Sequence, residues 1–482
     1  MRYLLLTTLL FLASTVSAQT VYQAFEVETE AQPIGGPAML EQFISVNRRM
    51  PYSAEVAKIK GSVIVTGVIE PNGRISEVKA SRGLHPACDR EAVRVLGLFN
   101  AWRPARKGGQ AVRQQFSYRV TFAPTRPGSE PGQVVTYYGK EAAPTTDSTL
   151  AFYKKVEPVD SSGVTIAAPV VFKRNGSEWV KDWEYGFEKT ASLEENIHNP
   201  YFSDSVKIVR HQVFDYEKKL QGVQYSFYED GRLYARGEYE NDKPIGPFYY
   251  YAPNGMVSSI ISYLDSGRVS RVIWYPNGLA YMNAIFEPAP TLSVPTQVRS
   301  LWDSSGRQTV INGNGIARLW LREEPHGWIL QMGQFRDGLR DSVWTGQVGH
   351  TGRLLYRDEY QNKAFVRGES FDENGIRLSY QKLFEQPEFQ GGLKGLSTFL
   401  ANNLHYPRNA SRQGIQGKVF ISFVVNTDGS IANIKVFRNV HPELDAEAYR
   451  VVKATSRKWK PGIMRGKPVR VKFNLPINFA LN

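Results

Sequence analysis

The sequence predicts an α+β fold at both ends of the chain and a mainly β repeat region between them. Each end domain is expected to be a three-stranded antiparallel sheet with two helices on one face. Three observations carry this. The two ends of the 482-residue chain match each other residue by residue. A shorter repeat of aromatic runs and x-Gly turns fills the middle. Tyrosine and phenylalanine, 25 of each, lean the composition toward strands. At roughly 150 residues per domain, the length fits about three domains. A hydrophobic content of 42% with 22% charged residues excludes a disordered or multi-span membrane chain.

The chain opens with a segment that reads as a signal peptide, residues 1–18. Arg2 is a short positive region, Leu4 to Val16 is apolar, and Val16-Ser17-Ala18 is a small-residue cleavage site before Gln19. A membrane anchor is the competing reading. As a helix, Leu4 to Ala18 reaches only about 22 Å, short of roughly 30 Å of hydrocarbon. Export to the periplasm is therefore expected, with the inner membrane as the alternative if the segment is retained.

The duplication defines the end domains, residues 20–124 and 384–482. At an offset of 356, Gly35-Gly36 meets Gly391-Gly392, Gly73 meets Gly429, and His85-Pro86 meets His441-Pro442. One inserted residue moves the offset to 357, where Trp102, Pro104, Phe116 and Phe122 meet Trp459, Pro461, Phe473 and Phe479. Within the second copy, Leu393 to Leu404 reads as a helix ended by Tyr406-Pro407. Val419, Ile421, Phe423 and Val425 alternate as a strand, Asp428-Gly429 is a hairpin turn, and Ile434 and Val436 carry the return strand. A second helix presents Leu444, Ala448, Val451 and Thr455 on one face. Phe473, Leu475, Ile477 and Phe479 alternate as the last strand. Cys88 takes the Leu444 position and reads as an inert core thiol. A lone cysteine also excludes an internal disulfide framework and a multi-Cys zinc site. His85 and His441 read as loop or cap residues, and Trp102 and Trp459 as core anchors.

These residues resemble a known family. The second copy carries Tyr406, Pro407, Ala410, Gly414, Gly417, Val419 and Gly429, then Leu444, Asp445, Glu447 and Ala448, then Trp459 and Pro461, then Gly466, Lys467, Pro468 and Val469. Over nearly a hundred residues this ordered set resembles the C-terminal domain of the TonB family. The first copy departs from it, with Met50-Pro51 for Tyr-Pro and Arg106-Lys107-Gly108-Gly109 for the Gly-Lys-Pro turn. The resemblance implies binding of an extended segment by strand addition to an open sheet edge. The implied partner is the periplasmic segment of an outer-membrane transporter, or another envelope protein. The candidate edge is Lys472 to Ala480. The implied partner-binding residues are Tyr406, Pro407, Lys467, Pro468, Val469, Lys472, Phe473, Leu475, Ile477 and Phe479. A proton-driven energy transducer is the alternative reading. It fits less well, because the N-terminus reads as cleavable and no Pro-rich stalk follows. Peptidoglycan, in an envelope scaffold, and a second copy of the chain are further expected partners.

Residues 125–210 read as a linker, PTRPGSEP, followed by a stretch without an assigned fold. In residues 211–383, Asp230-Gly231, Asn254-Gly255, Asn277-Gly278, Ser305-Gly306, Thr351-Gly352 and Asn374-Gly375 recur after aromatic runs. The gap after Gly306 places a degenerate copy near residue 329. Aromatic strand, turn, strand is a hairpin repeat, and it resembles the MORN-type repeat. A spacer or scaffold is the expected role, with a binding surface as the alternative.

No HExxH, Gly-rich phosphate loop, Cys/His zinc spacing or G-x-S-x-G elbow is present, so no enzyme, cofactor or metal is expected. The net charge of +13 is uneven. Residues 20–124 hold 14 basic and 9 acidic side chains, and residues 384–482 hold 15 and 6. Residues 125–383 hold 29 and 31. Export excludes nucleic acid as the partner, so the basic ends are expected to face an acidic partner in the envelope.

Overall fold

The computed structural model describes residues 20–195, 201, 205–287, 295–323 and 326–481. The signal-peptide reading of residues 1–18 lies outside them. The chain forms two compact units. The first runs to Glu188 and takes in Val213–Lys219 and Asn277–Leu279. The second holds Lys189–Gln212, Leu220–Pro276 and the chain from Ala280 onward. Among the described residues, no helix is long and apolar enough to cross a membrane.

The first unit starts with the first copy of the duplicated domain. Its core elements are α1 (Gly36–Asn47), α2 (Tyr52–Val56), β2 (Gly61–Ile69), β3 (Ile75–Arg82), α3 (Pro86–Gly97) and β4 (Gln110–Phe122). A two-residue strand, β1 (Val21–Tyr22), precedes them. The sheet order is β1-β4-β2-β3, and the hairpin strand Ala105–Lys107 also pairs with β4. Helix α3 is amphipathic: Cys88, Ala92, Val95 and Leu96 are buried against the sheet. Cys88 is fully enclosed on the apolar face of α3, and burial pushes its thiol pKa up, helped by the carboxylates of Asp89 and Glu91.

The stretch without an assigned fold is ordered over most of its length. Six strands between Ser129 and Glu184 build a separate antiparallel sheet. It is tied to the first domain inside this unit. The Tyr52 hydroxyl donates to the carbonyls of Glu130 and Gln133, both at 2.6 Å, and the ring packs with Val134 and Val159. The Glu55 carboxylate accepts from the Thr125 N–H and hydroxyl, at 2.9 and 2.7 Å. The proline- and glycine-rich run is thus a fixed turn, because its backbone donors have a carboxylate to bond.

The second unit is built on an antiparallel sheet of sixteen strands in sequence order, from Gly186–Glu195 to Arg377–Tyr380. The sheet starts at Gly186, ahead of residues 211–383, over which the repeat is read. The expected turn glycines all sit at positive φ: Gly231, Gly255, Gly278, Gly306, Gly352 and Gly375. In the long gap, Gly327 has φ 70° and begins the strand Gly327–Arg336, close to the position expected for the degenerate copy.

The last domain follows, with α4 (Gly392–Asn403), α5 (Arg408–Arg412), β5 (Gly417–Val425), β6 (Ile431–Arg438), α6 (Pro442–Lys453), β7 (Gly462–Met464), β8 (Lys467–Val469) and β9 (Val471–Phe479). Its main sheet has three strands in the order β6-β5-β9. Each copy holds three helices where two were expected. The extra one, α2 or α5, has five residues and starts at a proline cap, Pro51 or Pro407. One turn is too short to show a periodic apolar face.

The two copies share their register. β2 and β4 pair from Gly61↔Phe122 to Ile69↔Gln114, and β5 and β9 from Gly417↔Phe479 to Val425↔Val471. Gly73 and Gly429 both have φ 77°, and a Cβ there would lie 2.5 and 2.2 Å from the carbonyl oxygen of Trp102 and Trp459. Only glycine fits both the backbone and the approach.

Candidate functional site

β9 is an edge strand. It pairs with β5 on one side, and among the described residues nothing pairs with the other. Val471, Leu475, Ile477 and Phe479 are buried on the core face with Val419, Ile421, Phe423 and Val425 of β5. Lys472, Asn474, Pro476 and Asn478 alternate with them on the exposed face. Pro476 lies opposite Phe420 and has no N–H to give to β5. Its nitrogen therefore faces the open edge. Antiparallel pairing alternates bonded and non-bonded positions, so the backbone groups of Lys472, Asn474 and Asn478 face that edge too. The edge offers N–H donors at these three residues and a gap at Pro476.

The exposed face beside this edge is basic. Strands β5, β6 and β9 contain no Asp or Glu, and Lys418, Lys435, Arg438 and Lys472 are exposed on them. Phe420 and Phe437 lie 5.9 Å apart there, with the Arg438 guanidinium 5.4 Å from the Phe420 ring centre. Cationic heads and an aromatic pair next to unpaired backbone suit an extended, acidic or amphipathic segment.

The core behind β9 is rigid. Trp459 is 5% exposed, touches Phe389, Phe423 and Phe473 at ring separations of 5.0–5.4 Å, and donates its indole N–H to Thr455 Oγ1 at 3.0 Å. His441 caps α6, its Nδ1 accepting from the Glu443 N–H at 3.3 Å; His85 does the same for α3. Both residue types thus have the cap and anchor roles the sequence predicts.

The predicted partner-binding residues fall into three groups. Lys472 sits on the open edge with its side chain exposed. Phe473, Leu475, Ile477 and Phe479 lie on the same strand, but their side chains point into the core and their backbone groups face β5, so none of them offers a group to the open edge. Tyr406 and Pro407 shape the domain: the Tyr406 hydroxyl donates to the Ile415 carbonyl at 2.6 Å, its ring packs edge-on against Phe479, and Pro407 caps α5. Lys467, Pro468 and Val469 are elsewhere, in the β7–β8 hairpin. The hairpin packs on the sixteen-stranded sheet within this unit, where Lys467 Nζ donates to the Phe371 carbonyl at 2.7 Å.

Sequence reasoning missed the residue that fixes this hairpin. Arg465 is 7% exposed. Its Nε donates to Asp358 at 3.1 Å, its Nη1 to Glu323 at 2.8 Å, and its guanidinium lies 3.4 Å over the Tyr356 ring centre. Tyr380 donates to the fully buried Asp358. Burial works against the Arg465 charge, and Tyr356, Glu323 and Asp358 outweigh it, raising its pKa. The carboxylate Glu447, also quoted in the motif, has a structural role. It accepts from the His405 N–H and from Arg450, each at 2.7 Å, and Arg450 donates to the Asn403 carbonyl. The end of α4 is thereby tied to α6. Among the described residues, no group of three His, Cys, Asp or Glu could hold a metal ion.

Comparison with known proteins finds one family at both ends. Residues 46–124 and 402–481 each match the family model for the Gram-negative bacterial TonB protein C-terminal. The chain is 31% identical over 91 residues to Protein TonB of Helicobacter pylori, covering 18% of this chain and 30% of that protein. It is 30% identical over 95 residues to Protein TonB of Xanthomonas campestris pv. campestris, covering 19% and 41%. The matched stretch thus spans well under half the length of these relatives. A solution structure of the Helicobacter pylori TonB C-terminal domain is 28% identical, covers 19% of this chain and 80% of that one, and has a TM-score of 0.16. At both of its ends, then, the chain matches the Gram-negative bacterial TonB C-terminal family.

Proposed function

We propose that this is a non-enzymatic protein of the periplasm that supports TonB-dependent transport across the envelope. Its last domain binds the extended periplasmic segment of an outer-membrane transporter, or of another envelope protein, by adding it as a strand to β9. One observation carries the reading: among the described residues β9 is unpaired on its outer side, beside a face with four exposed basic side chains and no carboxylate in its strands. The resemblance of the flanking motif supports the choice of partner. The sixteen-stranded sheet serves as a scaffold for the last domain, through the hairpin that holds Arg465.

An Asn474→Pro substitution tests this directly. It removes one outward N–H and keeps every bond to β5, so the fold should lose less than about 1 kcal/mol. Calorimetric titration of the whole chain with N-terminal peptides of outer-membrane transporters should give saturable binding, weakened at least tenfold by Asn474→Pro. Absence of binding to every such peptide would sink the transporter reading. Equal binding by the variant would move the site away from β9.

A further inference from the structure

The two copies differ at this very edge. In the first domain β1 lies parallel along the outer side of β4, with Val21 opposite Arg113 and Tyr22 opposite Gln114. More than two backbone pairs hold it. Gln23 Nε2 donates to Gln115 Oε1 at 2.9 Å. The side-chain oxygen of Gln114, a residue 3% exposed, accepts from the Ala31 N–H. The Lys107 ammonium stands 4.2 Å from the centre of the Tyr22 ring. Further along, Thr29 bridges to Arg106, and Gln32–Pro33 pairs with Trp102–Arg103.

The second domain repeats only the later part of this lacing. Glu385 pairs with Ile463, and Glu388–Phe389 with Trp459–Lys460, at the same offsets of 356 and 357. By those offsets Val21–Tyr22 corresponds to Arg377–Leu378. These two residues are drawn into the last strand of the sixteen-stranded sheet, opposite Phe371 and Ser370. The segment that covers the start of the edge in one copy is used elsewhere in the other.

We propose that the first domain is self-capped. By the offset of 357, Arg113–Gln115 corresponds to Arg470–Lys472, so Val21–Tyr22 occupies the start of the edge at which the last domain accepts a partner strand, while Ser117, Arg119 and Thr121 of β4 have no strand on their outer side among the described residues. A tethered strand competes at an effective concentration in the millimolar range, so an incoming segment must displace it. What the edge is for rests on the strand-addition reading above; the capping is tested apart from it.

The test is amide hydrogen exchange on the whole chain, comparing the native sequence with a Val21→Pro/Tyr22→Pro double variant. The variant should exchange at least tenfold faster across Arg113–Gln115, with Val63 and Val65 of β2 unchanged. A synthetic peptide of residues 20–27, added in excess, should restore protection in the variant and leave β4 of the native chain untouched. Unchanged exchange at Arg113–Gln115 would overturn the proposal, and so would uptake of the peptide at β4 of the native chain. If the double variant also loses protection at Val63 and Val65, a Tyr22→Ala/Gln23→Ala variant keeps every backbone donor and replaces it. At least threefold faster exchange at Arg113–Gln115 is then expected, and no change overturns the proposal. Failure of transporter peptides to bind β9 would refute the proposed function and leave this result standing.

Discussion

At the scale of single residues, the sequence is most legible where one physical demand allows one residue type. Gly73 and Gly429 could be aligned because only glycine tolerates both φ 77° and a tryptophan carbonyl against its Cα. Cys88 could be assigned to the core because its copy carries Leu444 there. Glu447 was visible as a motif residue, but its role was not, since its partners are a backbone N–H 42 residues away and a carbonyl reached through Arg450. Burial opposes its ionisation, yet the bonds from Arg450 and His405 outweigh it and hold its carboxyl below the ordinary glutamate value. A depressed folded-state pKa contributes stability that is present above the unfolded value and lost as pH falls through the folded one. Glu447→Gln should therefore cost about 1 kcal/mol at neutral pH, Arg450 being half exposed and partly screened. Denaturant titrations of native and variant should converge below about pH 4.

At the scale of elements, length decides what can be read. Helices of twelve residues and strands of nine show their periods; α2, α5 and β1, with five, five and two residues, do not. The cap on the first domain was illegible for that reason. The repeat region shows a device hidden in its spacing. At Gly237, Gly333, Gly346 and Gly368 a Cβ would lie 2.1–2.4 Å from an aromatic ring of the next strand: Phe248, Trp344, Tyr356 or Tyr380. The ring lies over the glycine, so Gly346→Ala should overpack the sheet and cost about 1–3 kcal/mol in a denaturant titration. The β7–β8 hairpin depends on a different interaction. Arg465→Met leaves Asp358 buried without its cation, and the melting of the second unit should report a loss of about 3–5 kcal/mol. A loss near zero would mean that the ion cluster does not fix the hairpin.

At the scale of the whole molecule, the duplication and the turn glycines gave the architecture of two like domains and a long sheet. Composition and punctuation left most of residues 125–210 unassigned. PTRPGSEP reads as a linker by its prolines and glycines alone, yet Glu55 supplies its backbone donors with a partner, and strands follow at once. The charge also takes a clearer form. The last domain carries most of the excess, and strands β5, β6 and β9 present it without a carboxylate beside an open edge. Duplication did not give two equivalent edges, because the segment before each copy takes a different path. The central claim is that a partner strand adds to β9. Amide hydrogen exchange of the intact chain, with and without a saturating transporter peptide, tests it most directly. The account predicts slowed exchange at Lys472 and Asn474, with Arg113–Gln115 of β4 unchanged. Bound peptide with no slowing at Lys472 and Asn474 would contradict it.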